Sequence, residues 1–319
     1  MPARLRQAGY VTAAVGKLHL HPPTVQEAKR SGFDLVELHD GVPSLDRFSD
    51  YAEWRKQHDP NADVPYRAYA KDVPPGENPF RAAIADECSD TTWVGLRTCH
   101  YLRRLANSKQ PFFLFSSFWK PHSPYETCQP FDRLYNDVTI PLPEPTTLKD
   151  IKRLPLPLQK LILRGRPVYD MDRDRLQWIY RSYYGAISHV DREVGRILDS
   201  LEETGQADNT IVVFSSDHGD QLLRLPGRVK PIKYDELVQS IDVLPTLFEL
   251  AGLPEPYENQ GRSLVPLICD GPQTYQLRQA VFCENVIPEV LTGGSPDFFF
   301  AKGQGVQGTR HPDSKMVRT

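Results

Sequence analysis

Apolar residues gather into short runs rich in β-formers at Tyr10–Val15, Phe112–Phe118 and Ile211–Phe214. Runs of that length read as buried strands. A polar cluster follows each one: Gly16-Lys17-Leu18-His19, Lys120-Pro121-His122 and Ser216-Asp217-His218-Gly219. A different period governs residues 173–204, where Leu176, Ile179, Tyr180, Tyr183, Ile187, Val190, Val194, Ile197, Leu198 and Leu201 recur mostly at spacings of three or four. That spacing predicts one long amphipathic helix stopped by Gly205.

Further helices are predicted over Cys88–Ala106 and Asp242–Ala251, the second with Asp242 as N-cap, Pro245 in its first turn and Gly252 beyond its end. Short strands are expected at Ala280–Cys283 and Lys315–Thr319. Alternating helices and strands predict an α/β fold, a mainly parallel sheet sandwiched by helices. In such sheets ligands bind in the crevice beyond the carboxyl ends of the strands, which is where the three clusters fall. Proline makes up 29 of the 319 residues, well above average usage of roughly 5%. It is dense over 121–167, so that stretch and residues 40–80 are expected as loops draped over the scaffold.

Composition adds exclusions. A formal net charge of −3 gives no basic footprint, so nucleic acid is set aside as a partner. No apolar run approaches the ~20 residues that cross a bilayer. Residues 1–8, Met-Pro-Ala-Arg-Leu-Arg-Gln-Ala, read as a helix start with no signal region, so localisation is not legible. Cys88, Cys99, Cys128, Cys269 and Cys283 are odd in number and contain no CxxC pair. Buried free thiols are expected rather than a disulfide or zinc framework.

The clusters carry the chemistry. Asp217 and His218 combine a carboxylate with an imidazole, able to ligate a divalent cation or to act as base and orienting group; an Asx-type turn is the plain alternative. Lys17 supplies a positive charge for a tetrahedral anion. His19, two residues on, points the same way in extended backbone and can donate to an attacking or leaving oxygen. A solvated strand end is the alternative for both. His122, flanked by Pro121 and Pro124, sits on a stiffened loop suited to proton donation or oxyanion binding. His189 and Asp191 fall inside the long helix and read as a packing or capping residue and as a solvated or paired one.

In order and context these clusters resemble the sulfatase family of the alkaline phosphatase superfamily. The carriers are Ala8-Gly9-Tyr10-Val11-Thr12 running into Gly16-Lys17-Leu18-His19, then Pro111–Phe115 with Lys120-Pro121-His122-Ser123-Pro124-Tyr125. Tyr183-Tyr184-Gly185-Ala186 through Asp191, Ser216-Asp217-His218-Gly219-Asp220 and Asp242-Val243-Leu244-Pro245-Thr246-Leu247 complete the series. The His122 context and the Asp-His pair most resemble iduronate- and choline-sulfatase-like members. The resemblance implies an alkaline phosphatase-like core over residues 1–270 and the start of a C-terminal region over 271–319. It implies hydrolysis of a sulfate ester to an alcohol and sulfate, with a sulfated small molecule or sulfated carbohydrate as partner. Lys17, His19 and His122 would hold the sulfate and assist catalysis. Asp217 and His218 would be metal ligands, calcium being the usual ion. Members are often periplasmic, secreted or lysosomal.

The chain departs from that pattern in two places. The family's opening strand with paired aspartates, and its Cys- or Ser-x-Pro-x-Arg motif whose first residue becomes the formylglycine nucleophile, are not found from Met1 onward. After Asp220 the loop bearing a further substrate lysine is short, and Lys230 and Lys233 align with the segment beyond it. Calcium takes roughly 6–8 oxygen ligands, more than Asp217 and His218 offer. Losing a nucleophile costs on the order of 10⁶ in turnover in another hydrolase class. The expectation is an incomplete sulfatase core without activity of its own, binding metal weakly or not at all. The alternatives are a non-catalytic protein that binds sulfate or sulfated ligands, or a phosphoester hydrolase of the same superfamily.

Overall fold

The computed structural model describes residues 1–20, 22–40, 48–61, 63, 65, 68–142, 147–153, 159, 172–216, 222–224, 234, 236–254, 259–276, 278, 281–284 and 315–318. Asp217, His218, Gly219 and Asp220 lie outside them, as do Lys230 and Lys233. By its internal contacts the chain divides into two units: residues 1–143, 172–212 and 225–227 form the first; 144–171, 213–224 and 228–319 form the second.

The first unit opens with α1 (Pro2–Gln7), β1 (Val11–Gly16), α2 (Val25–Arg30), β2 (Leu35–Leu38) and α3 (Asp50–His58). It continues with α4 (Asp90–Ala106), β3 (Phe112–Ser117) and the long helix Arg173–Glu203. The strands form a parallel sheet in the order β2-β1-β3. Val11 pairs with Phe112 and Gly16 with Ser117 on one side of β1, and Ala13 pairs with Leu35 and Gly16 with Leu38 on the other.

Strand alternation sends the side chains into two cores. Val11 and Val15 of β1, Phe112 and Leu114 of β3 and Leu35 of β2 face a cluster around Tyr51, Trp93, Val94, Tyr101 and Leu105. Ala14, Phe113 and Val36 face the other, with Ala28 and Phe33. A central strand covered on both faces explains why β1 reads as a continuous apolar run. Its one polar member, Thr12, is fully buried. Its Oγ1 donates to the Gly32 carbonyl at 2.7 Å and bonds Asp34 Oδ2 at 2.8 Å.

The predicted long helix spans Arg173–Glu203, with Asp172 capping it and Gly205 at φ +68° just past its end. It packs on α4 at Gly95, where a Cβ would stand 2.1 Å from Glu193 Oε2. A glycine is therefore required for these helices to close over a buried carboxylate. Glu193 bonds Arg192 at 2.7 Å and Arg196 at 3.3 Å.

Three expectations are corrected. Residues 40–80 contain α3, a polar helix that buries Tyr51 and Arg55. The third apolar run is not a buried strand of the main sheet. Its strand β4 (Val212–Phe214) pairs with β5 (Leu222–Arg224) in a separate two-stranded sheet, and Phe214 is 45% exposed. Of the described cysteines, Cys88, Cys99 and Cys128 are buried and unpaired as expected, but Cys269 is exposed.

The second unit holds the helices Val243–Leu250 and Val265–Asp270 and an antiparallel pair, β6 (Val281–Glu284) with β7 (Lys315–Arg318). Its centre is Asp242, fully buried, whose carboxylate pairs with Arg278 and accepts the backbone N–H of Arg262 at 2.8 Å.

Candidate functional site

All three strands of the main sheet end level, and their loops leave from one edge. The Lys17 N–H donates to the Ser117 carbonyl at 3.1 Å, and the His39 N–H donates to the Gly16 carbonyl at 3.1 Å. The first steps of the three loops are thus pinned to one another. Gly16 has φ +94°, and a Cβ there would lie 2.0 Å from the Ser117 carbonyl oxygen. Only glycine permits this close approach, and the turn it makes aims the following Lys17.

Lys17 is half-buried, with Nζ 4.7 Å from the centre of the Trp119 indole, a cation–π contact. The His122 ring lies 4.4 Å from the same indole, tilted by 42°, and its backbone N–H donates to the Trp119 carbonyl at 3.2 Å. Trp119 therefore gathers a cation from the β1 loop and an imidazole from the β3 loop. The His122 ring is exposed, and its Nδ1 lies 2.5 Å from the Ser123 carbonyl oxygen. A carbonyl only accepts, so Nδ1 carries the proton and Nε2 is left to face an incoming group.

His19 is placed differently from its expectation. β1 ends at Gly16, and His19 has φ +51°, so the two-residue alternation does not run through it. Instead Asp40, from the β2 loop, accepts the backbone N–H groups of Leu18 and His19 on one oxygen, each at 3.1 Å. The imidazole of His19 is exposed. Sequence reasoning did not single out Asp40 or Trp119; only the strand pairing shows that they arrive at this edge.

Beneath the His122 loop lies a buried ion pair. Lys120 Nζ meets Glu126 Oε1 at 2.8 Å and donates to the Pro124 carbonyl at 2.7 Å, both side chains under 8% exposed. The loop's exit is fastened as well: Thr127 donates its N–H to the Phe80 carbonyl at 3.0 Å and its hydroxyl to the Ser182 carbonyl at 3.0 Å.

His189 is the packing residue it was expected to be. It is 3% exposed, stacked on Phe131 at 4.4 Å, with Nε2 2.8 Å from Asp86 Oδ1. Burial would raise the Asp86 carboxyl, but hydrogen bonds from His189 and Arg192 outweigh it and hold the group well below the usual range. Cys128, followed by Gln129-Pro130, has a thiol pushed far up by burial and by the nearby Asp90 charge. It is chemically quiet, since the thiolate is the nucleophile.

Among the described residues no group of three or more His, Cys, Asp or Glu is arranged to hold a metal. The expected ligands Asp217 and His218 lie outside the described residues. Among the described residues no helix is long and apolar enough to cross a membrane.

The parallel sheet with its covering helices is an alkaline phosphatase-like α/β fold. The chain superposes on the phosphonate monoester hydrolase of Agrobacterium radiobacter with a TM-score of 0.72 at 21% identity, over 93% of this chain and 66% of that one. It superposes on BT4656, solved with its substrate D-glucosamine-2-N,6-O-disulfate, with a TM-score of 0.57 at 19% identity, over 100% of this chain and 70% of that one. The Sulfatase family model matches residues 1–253, and the chain belongs to that family. The arylsulfatase of Clostridium perfringens is 28% identical over 321 residues, covering 85% of this chain and 62% of that protein. The chain spans 60–62% of the length of the first curated relatives it matches. Family members of this kind are sulfuric ester hydrolases.

Proposed function

We propose that this chain supplies the sulfate-holding part of a sulfuric ester hydrolase. The observation that carries this reading is the convergence of Lys17 and His122 on Trp119 at the carboxyl edge of the sheet. Lys17 brings fixed positive charge to a tetrahedral dianion. His122, with Nδ1–H committed to the Ser123 carbonyl, binds a sulfate oxygen as the imidazolium, donating from Nε2–H. In the hydrolytic direction that nitrogen, once protonated, donates to the leaving oxygen. His19 follows on the same loop with its backbone pinned by Asp40, near enough in sequence to complete the set. Asp217 and His218 would hold the metal, with calcium as the ion, which neutralises charge on the sulfate when bound.

A sulfated sugar is the substrate class, in keeping with the disulfated glucosamine bound to BT4656. None of the five cysteines is followed by x-Pro-x-Arg, so the residues of this chain are proposed to bind sulfate without turning it over. A phosphonate or phosphate ester is the second reading, favoured by the superposition on a phosphonate monoester hydrolase.

The test is a set of matched 4-nitrophenyl sulfate, phosphate and phenylphosphonate esters, each offered with calcium as substrate and as competitor of sulfate binding. The expected result is no nitrophenol release and strongest competition from the sulfate ester. Release of nitrophenol would end the binding-only reading. Stronger competition by the phosphonate would move the assignment to the second reading.

A further inference from the structure

We infer that Lys120 is a positioning residue for His122, setting both the place of its ring and the nitrogen that carries its proton. This deepens the reading just given and rests on it for the role of His122.

The loop runs from Lys120 to Glu126, and its ends are joined beneath it by its own side chains. Lys120 folds back so that its ammonium bonds Glu126 and the Pro124 carbonyl. Both side chains are removed from water, at 7% and 3% exposure. A buried ion pair is weak evidence of stabilisation, since well-packed apolar residues often serve as well or better. A pair in this place does something an apolar pair cannot. By taking the Pro124 carbonyl downward, Lys120 fixes the backbone that follows Ser123, and the Ser123 carbonyl is the group that receives His122 Nδ1–H at 2.5 Å. On the other side, the His122 N–H is held by the Trp119 carbonyl at 3.2 Å. The imidazole is exposed, and it packs on the indole of Trp119, the residue next to Lys120. Its orientation comes from the loop, and the loop is closed by Lys120.

Beside the pair is a cavity of about 20 Å³ lined by Ser89, Asp90, Thr127 and His189. That is room for one water.

The consequence is a defined tautomer. Free neutral imidazole side chains favour the proton on Nε2; here the geometry demands it on Nδ1, which leaves the Nε2 lone pair outward.

The test uses the full chain and nitrogen-15 NMR of neutral His122, assigned by its absence in His122→Ala. In the wild type Nδ1 is expected to be the protonated nitrogen. Lys120→Met/Glu126→Leu removes both charges of the pair together. It is expected to remain folded and to return neutral His122 to the Nε2–H form. A folded double variant that keeps the Nδ1–H form overturns the proposal. If the double variant does not fold, Glu126→Gln decides: a partial shift of the tautomer supports it and an unchanged tautomer overturns it. If His122→Ala binds sulfate as tightly as wild type, the sulfate-site reading fails, while the tautomer result still judges Lys120.

Discussion

The ammonium of Lys17 stands 4.7 Å from the centre of the Trp119 indole, joining loops more than a hundred residues apart in sequence. A half-buried contact of this kind is worth about 0.5–2 kcal/mol. Its larger effect is to confine a flexible side chain beside His122. Trp119→Leu is therefore expected to weaken sulfate binding several-fold while leaving the melting temperature nearly unchanged, which calorimetry and a thermal melt on one sample would show.

Gly16 makes that placement possible. Gly16→Ala would put a methyl group 2.0 Å from the Ser117 carbonyl oxygen at a φ of +94°. The backbone would have to move, so a loss of about 3 kcal/mol or more is expected. Urea unfolding measures it. Gly9 also has a positive φ, +89°, but nothing within 4 Å of a Cβ. Gly9→Ala should cost only about 1 kcal/mol from the conformation alone.

Asp86 links acid stability to the packing of the long helix. Its carboxyl is held low in the folded chain by His189 and Arg192 against the effect of burial. A depressed folded pKa stabilises above the unfolded value of ~3.9 and loses that contribution as pH falls towards the folded one. Asp86→Asn should lower stability at pH 7 by about 1–3 kcal/mol. It should also flatten the decline below pH ~4, as denaturant titrations across that range would reveal.

The described cysteines divide sharply. Cys88, Cys99 and Cys128 are buried, their thiols raised above the ordinary range chiefly by burial, whereas Cys269 is exposed. Brief alkylation of the native protein followed by peptide mass mapping should label Cys269 first among these four. Fast labelling of Cys128 would contradict the quiet, buried thiol described above.

Much of this was legible in the residues, for reasons that differ by element. β1 and β3 were readable because sheet pairing and helices on both faces demand continuous apolar runs. The long helix was readable from its three-to-four spacing, but the face it buries is mostly small and polar (Ser182, Gly185, Ala186, His189, Glu193), while Tyr183 and Ile187 of the apolar stripe are exposed. The third run carried the same composition, yet Val212–Phe214 is a short strand with Phe214 largely exposed; strand formers alone do not say which sheet a segment joins. α3 escaped because a helix of Asp, Glu, Lys, Arg and His shows no apolar stripe. Its burial rests on Tyr51 and on Arg55, which pairs with Asp59 at 2.7 Å. At the site, Lys17 and His122 stood out as chemistry at strand ends. Asp40, Trp119 and the Lys120–Glu126 pair did not, because their roles arise from level strand ends and loop closure, which no local pattern encodes.

The most direct test is titration of inorganic sulfate into the full chain by calorimetry, wild type against Lys17→Met/His122→Ala. The account predicts saturable binding in the wild type and at least a tenfold weaker affinity in the folded double variant, each removed group contributing roughly 1–2 kcal/mol. Equal affinity in the two proteins would contradict it.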